Sequence, residues 1–260
     1  IGAGSGLGFL GVLLYAKVPG GAPIPRSPEA GRHWANMAKA LRDGNFTAYL
    51  GGMAGVTIGS AMLISFLPLY VKERIGLESA MVVRLDIVAM VGGALASLGW
   101  GWLSDRVGSR PVLVPACALS LLAPLGWLLL PVSAPSVILA CVALYFITGI
   151  AANGVAIGAG RLLFNSVVPQ EKSTAYTSIH YAWMGLTGGV APLLAGGLLT
   201  LVGDWRMETS FMTVDGYTVM FAAAILFLAA GGLLYRRVRP DDRHTTRTAM
   251  RSFLNRIAQR

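Results

Sequence analysis

The stretch Gly101-Trp102-Leu103-Ser104-Asp105-Arg106-Val107-Gly108-Ser109-Arg110-Pro111 decides how this chain is read. It sets three charges between two long apolar segments. Ser79 to Leu103 precedes it, with Arg84 and Asp86 near its start, and the uncharged run Pro111 to Gly160 follows. A run of about 20 apolar residues is the length a helix needs to cross a bilayer. The charged stretch therefore reads as a tight connection at a membrane surface.

The rest of the chain repeats the pattern. Phe46 to Val71, Ser173 to Gly203 and Gly216 to Tyr235 carry no charge. The run from Pro111 to Gly160 is long enough for two spans, divided by Pro131-Val132-Ser133-Ala134-Pro135-Ser136. Of the 260 residues, 55% are hydrophobic and 13% charged, more apolar mass than a soluble domain can bury. Seven segments follow: A (about 1–16), B (about 46–71), C (79–103), D (112–130), E (137–165), F (174–202) and G (215–235). All are expected to be helices, because an isolated strand leaves its backbone unsatisfied in lipid and the segments lack barrel alternation. The expected fold class is an all-α polytopic membrane protein. Segment A is short and opens on Ile1, so it reads as a span cut at its outer end. A signal peptide fits less well, since no basic leader precedes it.

Orientation follows from Lys and Arg, which favour the cytoplasmic side. If A ends inside, the inner loops hold Lys17, Arg26, Arg32, Lys39, Arg42, Arg106, Arg110 and Lys172. The tail after Tyr235 adds eight arginines, and the outer loops hold only Lys72, Arg74 and Arg206. The net charge of +9 is thus accounted for by topology and anionic inner-leaflet lipid, and no soluble basic domain exists to hold nucleic acid. Tyr15, Tyr49, Tyr176 and Tyr235 fall at inner span ends, and Tyr70, Trp127, Trp205 and Tyr217 at outer ends. Those positions suit aromatic belts. Two basic amphipathic stretches, Pro28 to Asp43 and Arg247 to Arg260, are expected to lie on the inner surface. A frayed linker and a disordered tail are the alternatives. Cys117 and Cys141 sit within spans as small packing residues, and neither they nor the three His make a metal site.

The Gly101–Pro111 stretch resembles the loop signature of the major facilitator superfamily, roughly G-x-L-x-D-R-x-G-R-R. Gly101, Leu103, Asp105, Arg106, Gly108 and Arg110 match, and Ser109 departs from the usual basic residue. Asn165-Ser166-Val167-Val168-Pro169-Gln170-Glu171-Lys172 resembles a second inner loop, N-x-x-x-P-x-x-x-R, with Lys172 in place of Arg. Segment F, with Gly185, Gly188, Gly189, Pro192, Gly196 and Gly197, is loosely similar to the family's glycine-proline helix. The resemblance maps this chain to the end of the sixth helix and helices seven to twelve. It implies a truncated helix (1–16), an inter-half cytoplasmic loop (17–45), a six-helix C-terminal half (46–235) and a basic cytoplasmic tail (236–260). It also implies a missing N-terminal half, a bacterial inner membrane setting and secondary transport of a small solute by alternating access. Proton coupling is open, and no cofactor or catalytic residue is implied. Segments B, C, E and F would supply cavity residues, and D and G would be lipid-facing supports.

Within that frame Gly101 and Gly108 allow tight turns. Asp105, Arg106 and Arg110 form a latch, or serve topology alone. Ionisable and polar groups inside spans are the candidate substrate or proton sites: Asp86, Asn153, Arg161 and His180. Arg161 has three readings: pairing with Asp105, an anionic substrate contact, or snorkelling to the interface. His180 is a proton carrier or a packing residue. Asn153 faces the cavity or bonds helix to helix. Outside transport, a polytopic membrane enzyme and a non-transporting scaffold or truncated relic are the alternatives. The nucleotide-binding loop G-x-x-x-x-G-K-S/T does not occur in the chain.

Overall fold

The computed structural model describes Phe9 and residues 33–130, 136–169, 173–203, 205–208 and 213–241. Ile1–Ala35 and Asn36–Arg260 are separate compact units, and nearly all described residues belong to the second. Segment A, the start of the amphipathic loop and the tail beyond Asp241 lie outside the described residues, apart from Phe9.

A short helix α1 (His33–Leu41) leads into α2 (Gly44–Glu73). Asp43 divides them. Its carboxylate accepts from the Asn45 backbone N–H at 2.9 Å and so supplies one of the partners a helix start lacks. Next come α3 (Ser79–Val107), α4 (Ser109–Ser120), α5 (Leu122–Leu129) and α6 (Val137–Leu162), which ends in a π turn, Leu163–Val167. Helix α7 (Ser173–Val202) follows. A two-residue antiparallel ribbon, β1 (Met207–Glu208) with β2 (Thr213–Val214), then leads to α8 (Gly216–Tyr235). Counting α4 with α5, six helical segments are long and apolar enough to cross a membrane. The molecule is an all-α polytopic membrane protein. A 30-residue helix such as α2 is about 45 Å long, which exceeds the hydrocarbon core and leaves its ends in the headgroups.

The apolar runs located the spans to within a few residues, but one detail differs. Segment D is not one helix. It breaks at Leu121, between Pro115 and Pro124, because proline has no N–H to continue the ladder. Helix α8 packs against α2, α4, α5 and α7 through the buried Met220, Phe221, Ala224 and Leu228, and leaves Leu226 and Leu233 exposed. Segment α7 is the least buried span and α2 the most buried. A uniformly apolar segment carries no mark of which side faces protein, so hydropathy gave its depth and not its neighbours.

Two seams bring backbone against backbone. A methyl placed on Gly55 of α2 would lie 2.7 Å from Gly231 Cα and 2.8 Å from its nitrogen. On α6, a methyl at Gly149 would collide with the Ala89 carbonyl of α3. Small residues at such crossings let apolar helices approach closely where lipid offers no hydrophobic driving force. Trp100 on α3 ties the second seam, donating to the Ile150 carbonyl at 2.9 Å.

The core divides between the two ends of the bundle. Near the signature, Phe46, Tyr49, Leu113, Cys117, Leu162 and Tyr235 cluster. At the opposite end, Tyr70, Trp127, Cys141, Tyr145, Tyr217 and Phe221 do so. The ring of Tyr70 meets Trp127, Tyr217 and Phe221 edge-on at 5.9, 5.3 and 5.0 Å. Tyr70, Trp127 and Tyr217 read as membrane-belt residues in the sequence, yet Trp127 is 1% exposed. The span-end position was right. The ring faces inward because edge-to-face packing was available there.

Candidate functional site

The signature is almost all helix. Gly101 to Val107 complete α3, and the turn is the single residue Gly108, with φ +91° and ψ 173°. That region of backbone space is essentially glycine's alone. Gly101, expected to make a turn, lies inside the helix with open space around it.

From this turn the charged side chains take separate tasks. Asp105, at the end of α3, forms an ion pair with Arg161 on α6. The sequence had offered that pairing among three readings of Arg161. Arg106 lies over the Trp102 ring of its own helix, 4.2 Å from the centroid. Arg110 donates to the backbone carbonyl of Arg236, at the end of α8. It therefore fills one of the acceptors a helix leaves open at its C-terminus.

The chain after α8 returns the favour. Asp241 places both carboxylate oxygens 3.1 Å from the Ser109 backbone N–H and also accepts from the Ser109 hydroxyl. A carboxylate at this point caps α4 and meets the positive end of its dipole. So α4 closes the end of α8, and the segment after α8 closes the start of α4. The same segment is held elsewhere: Ser166 donates to the Arg239 carbonyl at 2.8 Å, and the Arg239 N–H donates to Asn45 at 2.8 Å. Asn165 donates to Asp241 at 3.5 Å. The second loop motif and the first thus meet through a third segment. Neither Asp241 nor Ser166 was singled out from sequence, since nothing local marks a cap that comes from 132 residues away.

The other candidates do not converge. Asp86 is exposed on α3. Asn153, on α6, is half-buried where it abuts Gly93 of α3, and donates back to the Gly149 carbonyl at 3.5 Å. His180 is buried on α7 between the rings of Tyr49 and Tyr181, at 5.7 and 5.0 Å. Among the described residues its Nδ1 meets no hydrogen-bond partner. The four candidates lie on α3, α6 and α7, and only Arg161 reaches the signature.

At the opposite end, Asp215 caps α8 through the Thr218 N–H at 3.0 Å and pairs with Arg74 of α2. Tyr217 donates to Glu73 at 2.7 Å. Charged groups thus tie α2 to α8 at this end, while the two-way capping closes the other.

Comparison with known proteins agrees with this architecture. The sequence profile described as Major Facilitator Superfamily matches residues 1–141 and, in an overlapping second register, residues 85–256. The ectoine/proline transporter ProP of Corynebacterium glutamicum is 28% identical over 181 residues. That alignment covers 68% of this chain and 33% of the relative, so the chain aligns with about a third of its relative's length. Matched by the profile over most of its length, this chain belongs to the Major Facilitator Superfamily, a family of membrane transporters.

Proposed function

We propose that the chain is the C-terminal half of a secondary active transporter, moving a small solute by alternating access. The observation that carries this reading is Asp86. It stands exposed on α3, one turn from Met90, which is 74% exposed. A carboxylate on a face covered by lipid is costly, so such a face fits contact with a wet cavity or another polypeptide segment. The exposed side of α7, with Tyr181, Met184 and Leu193, is a second face of the kind. An N-terminal six-helix half is the partner we assign to both, and an alignment spanning a third of the relative is in keeping with a partial chain.

In this reading the signature end faces the cytoplasm of a bacterial cell, as the Lys and Arg distribution favours. The basic residues there meet anionic inner-leaflet lipid. Asp105 with Arg161, and the capping around Ser109, set the packing of the cytoplasmic ends. Asp86, Asn153 and His180 are the polar groups available to a solute or a proton. The relative is named for ectoine and proline, which makes these two solutes the first to assay.

The test is flux. Reconstituted alone in liposomes, the chain should show no saturable uptake of proline or ectoine. Coexpression with its natural N-terminal half should restore uptake, and Asp86→Asn in that complex should lower it at least tenfold. Saturable transport by the chain alone would overturn the half-transporter reading.

A further inference from the structure

Helix α3 carries an open groove along its boundary with α6. About 340 Å³ of space is lined by Ala96, Gly99, Trp100, Trp102, Leu103 and Ile150. The lining is almost wholly apolar. Even the Trp100 indole N–H is spent, on the Ile150 carbonyl at 2.9 Å. A methyl placed on Gly99 would meet nothing within 4 Å. Packing between helices therefore does not require this glycine, unlike Gly55 and Gly149, and its effect is to keep the groove open. Gly99 lies about two and a half turns from Met90, which puts it on the opposite side of α3. The groove is thus distinct from the face assigned above to a missing half.

A cation stands at one end of it. Ala96 to Leu103 cover about 10 Å of helix rise, and Arg106 follows about one turn later. Arg106 is exposed and lies over the Trp102 ring, 4.2 Å from its centroid, so groove and cation share a side chain. Among the described residues Arg106 meets no carboxylate and no carbonyl. Its neighbour Asp105 is already paired with Arg161. A guanidinium stacked on a ring keeps its N–H donors at its edges, where they fit the oxygens of a phosphate.

An apolar trough that ends in a guanidinium at the level of a tryptophan matches the two parts of a phospholipid. Arg110, Arg236 and Arg239 lie at the same end of the bundle, which favours a headgroup of net negative charge. We propose that one anionic phospholipid binds here, with an acyl chain in the groove and its phosphate on Arg106. Such a site needs only that the chain spans a bilayer, and it is independent of transport.

The test uses the full chain in detergent micelles, titrated with phosphatidylglycerol or phosphatidylcholine while thermal unfolding is followed. Phosphatidylglycerol should raise the midpoint at a level at least tenfold below that needed with phosphatidylcholine. Gly99→Leu fills the groove without a clash and alters no charge. It should raise the phosphatidylglycerol level needed at least tenfold, which general attraction to the arginines of the tail would not do. Arg106→Gln should act likewise, and Arg106→Lys should retain most of the effect. Inorganic phosphate at equal concentration should leave the midpoint unmoved. Equal action of the two lipids would leave the groove to another polypeptide segment and overturn the proposal. So would a phosphatidylglycerol effect unchanged in Gly99→Leu, or stabilisation by phosphate alone.

Discussion

Asp105 and Arg161 show how exposure limits what an ion pair does. Their side chains are 66% and 39% exposed. A pair this wet contributes at most about 1 kcal/mol to stability. Its worth lies in holding the ends of α3 and α6 in one arrangement. Asp105→Asn and Arg161→Gln should therefore leave the unfolding midpoint of the complete transporter nearly unchanged and each lower transport severalfold. If the two side chains act together, the double variant should lose less than the sum of the single losses in log rate. Strict additivity would show that they act separately, and Arg161 would then become the better candidate for substrate contact. The pairing was open in the sequence because both residues sit at span ends on the same side. The separate tasks of Arg106 and Arg110 were not. Two arginines four apart look alike on paper, and only the path of the chain after α8 gives one of them a carbonyl.

Among the helices, what was legible is what hydropathy encodes, namely length and depth. Segment F, read as 174–202, is observed as Ser173–Val202. Azimuth was not legible, and so the burial of α8 and of Trp127 came from the structure alone. The break at Leu121 is not legible in hydropathy, because a 19-residue apolar run outweighs Pro115 and Pro124 on a hydropathy count. Reciprocal capping of α4 and α8 was beyond reach for a different reason: a cap is a local event made here by residues far apart in the chain. That capping gives a stability prediction. Asp241→Ala should cost about 1 kcal/mol, the usual loss for a helix cap. Asp241→Asn should cost less, since an amide oxygen still accepts from the Ser109 N–H. Thermal unfolding in detergent measures both, and an unchanged midpoint in Asp241→Ala would remove the cap from the account of stability.

For the bundle in its membrane, the orientation inferred from Lys and Arg is open to direct chemistry. In a version lacking Cys117 and Cys141, a single cysteine at Glu171 should react with a membrane-impermeant maleimide only after permeabilisation. Cysteines at Ser133 and Glu208 should react in intact cells. Ser109, the first residue of α4, is buried, so Glu171 carries the inner side of the comparison. Reaction of Glu171 and Ser133 from the same face would sink the proposed topology.

The glycine seams restrict how this protein can vary. Where Gly55 meets Gly231, and Gly149 meets Ala89, the touching atoms are main chain. A side-chain contact can drift, because a loss on one helix can be offset by a gain on the other. A main-chain contact has no such reserve, since every mutation adds atoms to a place already full. Inherited change is therefore expected to spare the seams and to collect on faces where side chains are exposed, such as that of Met90 and Leu98 on α3. Relatives should share the scaffold's crossings and differ on those faces.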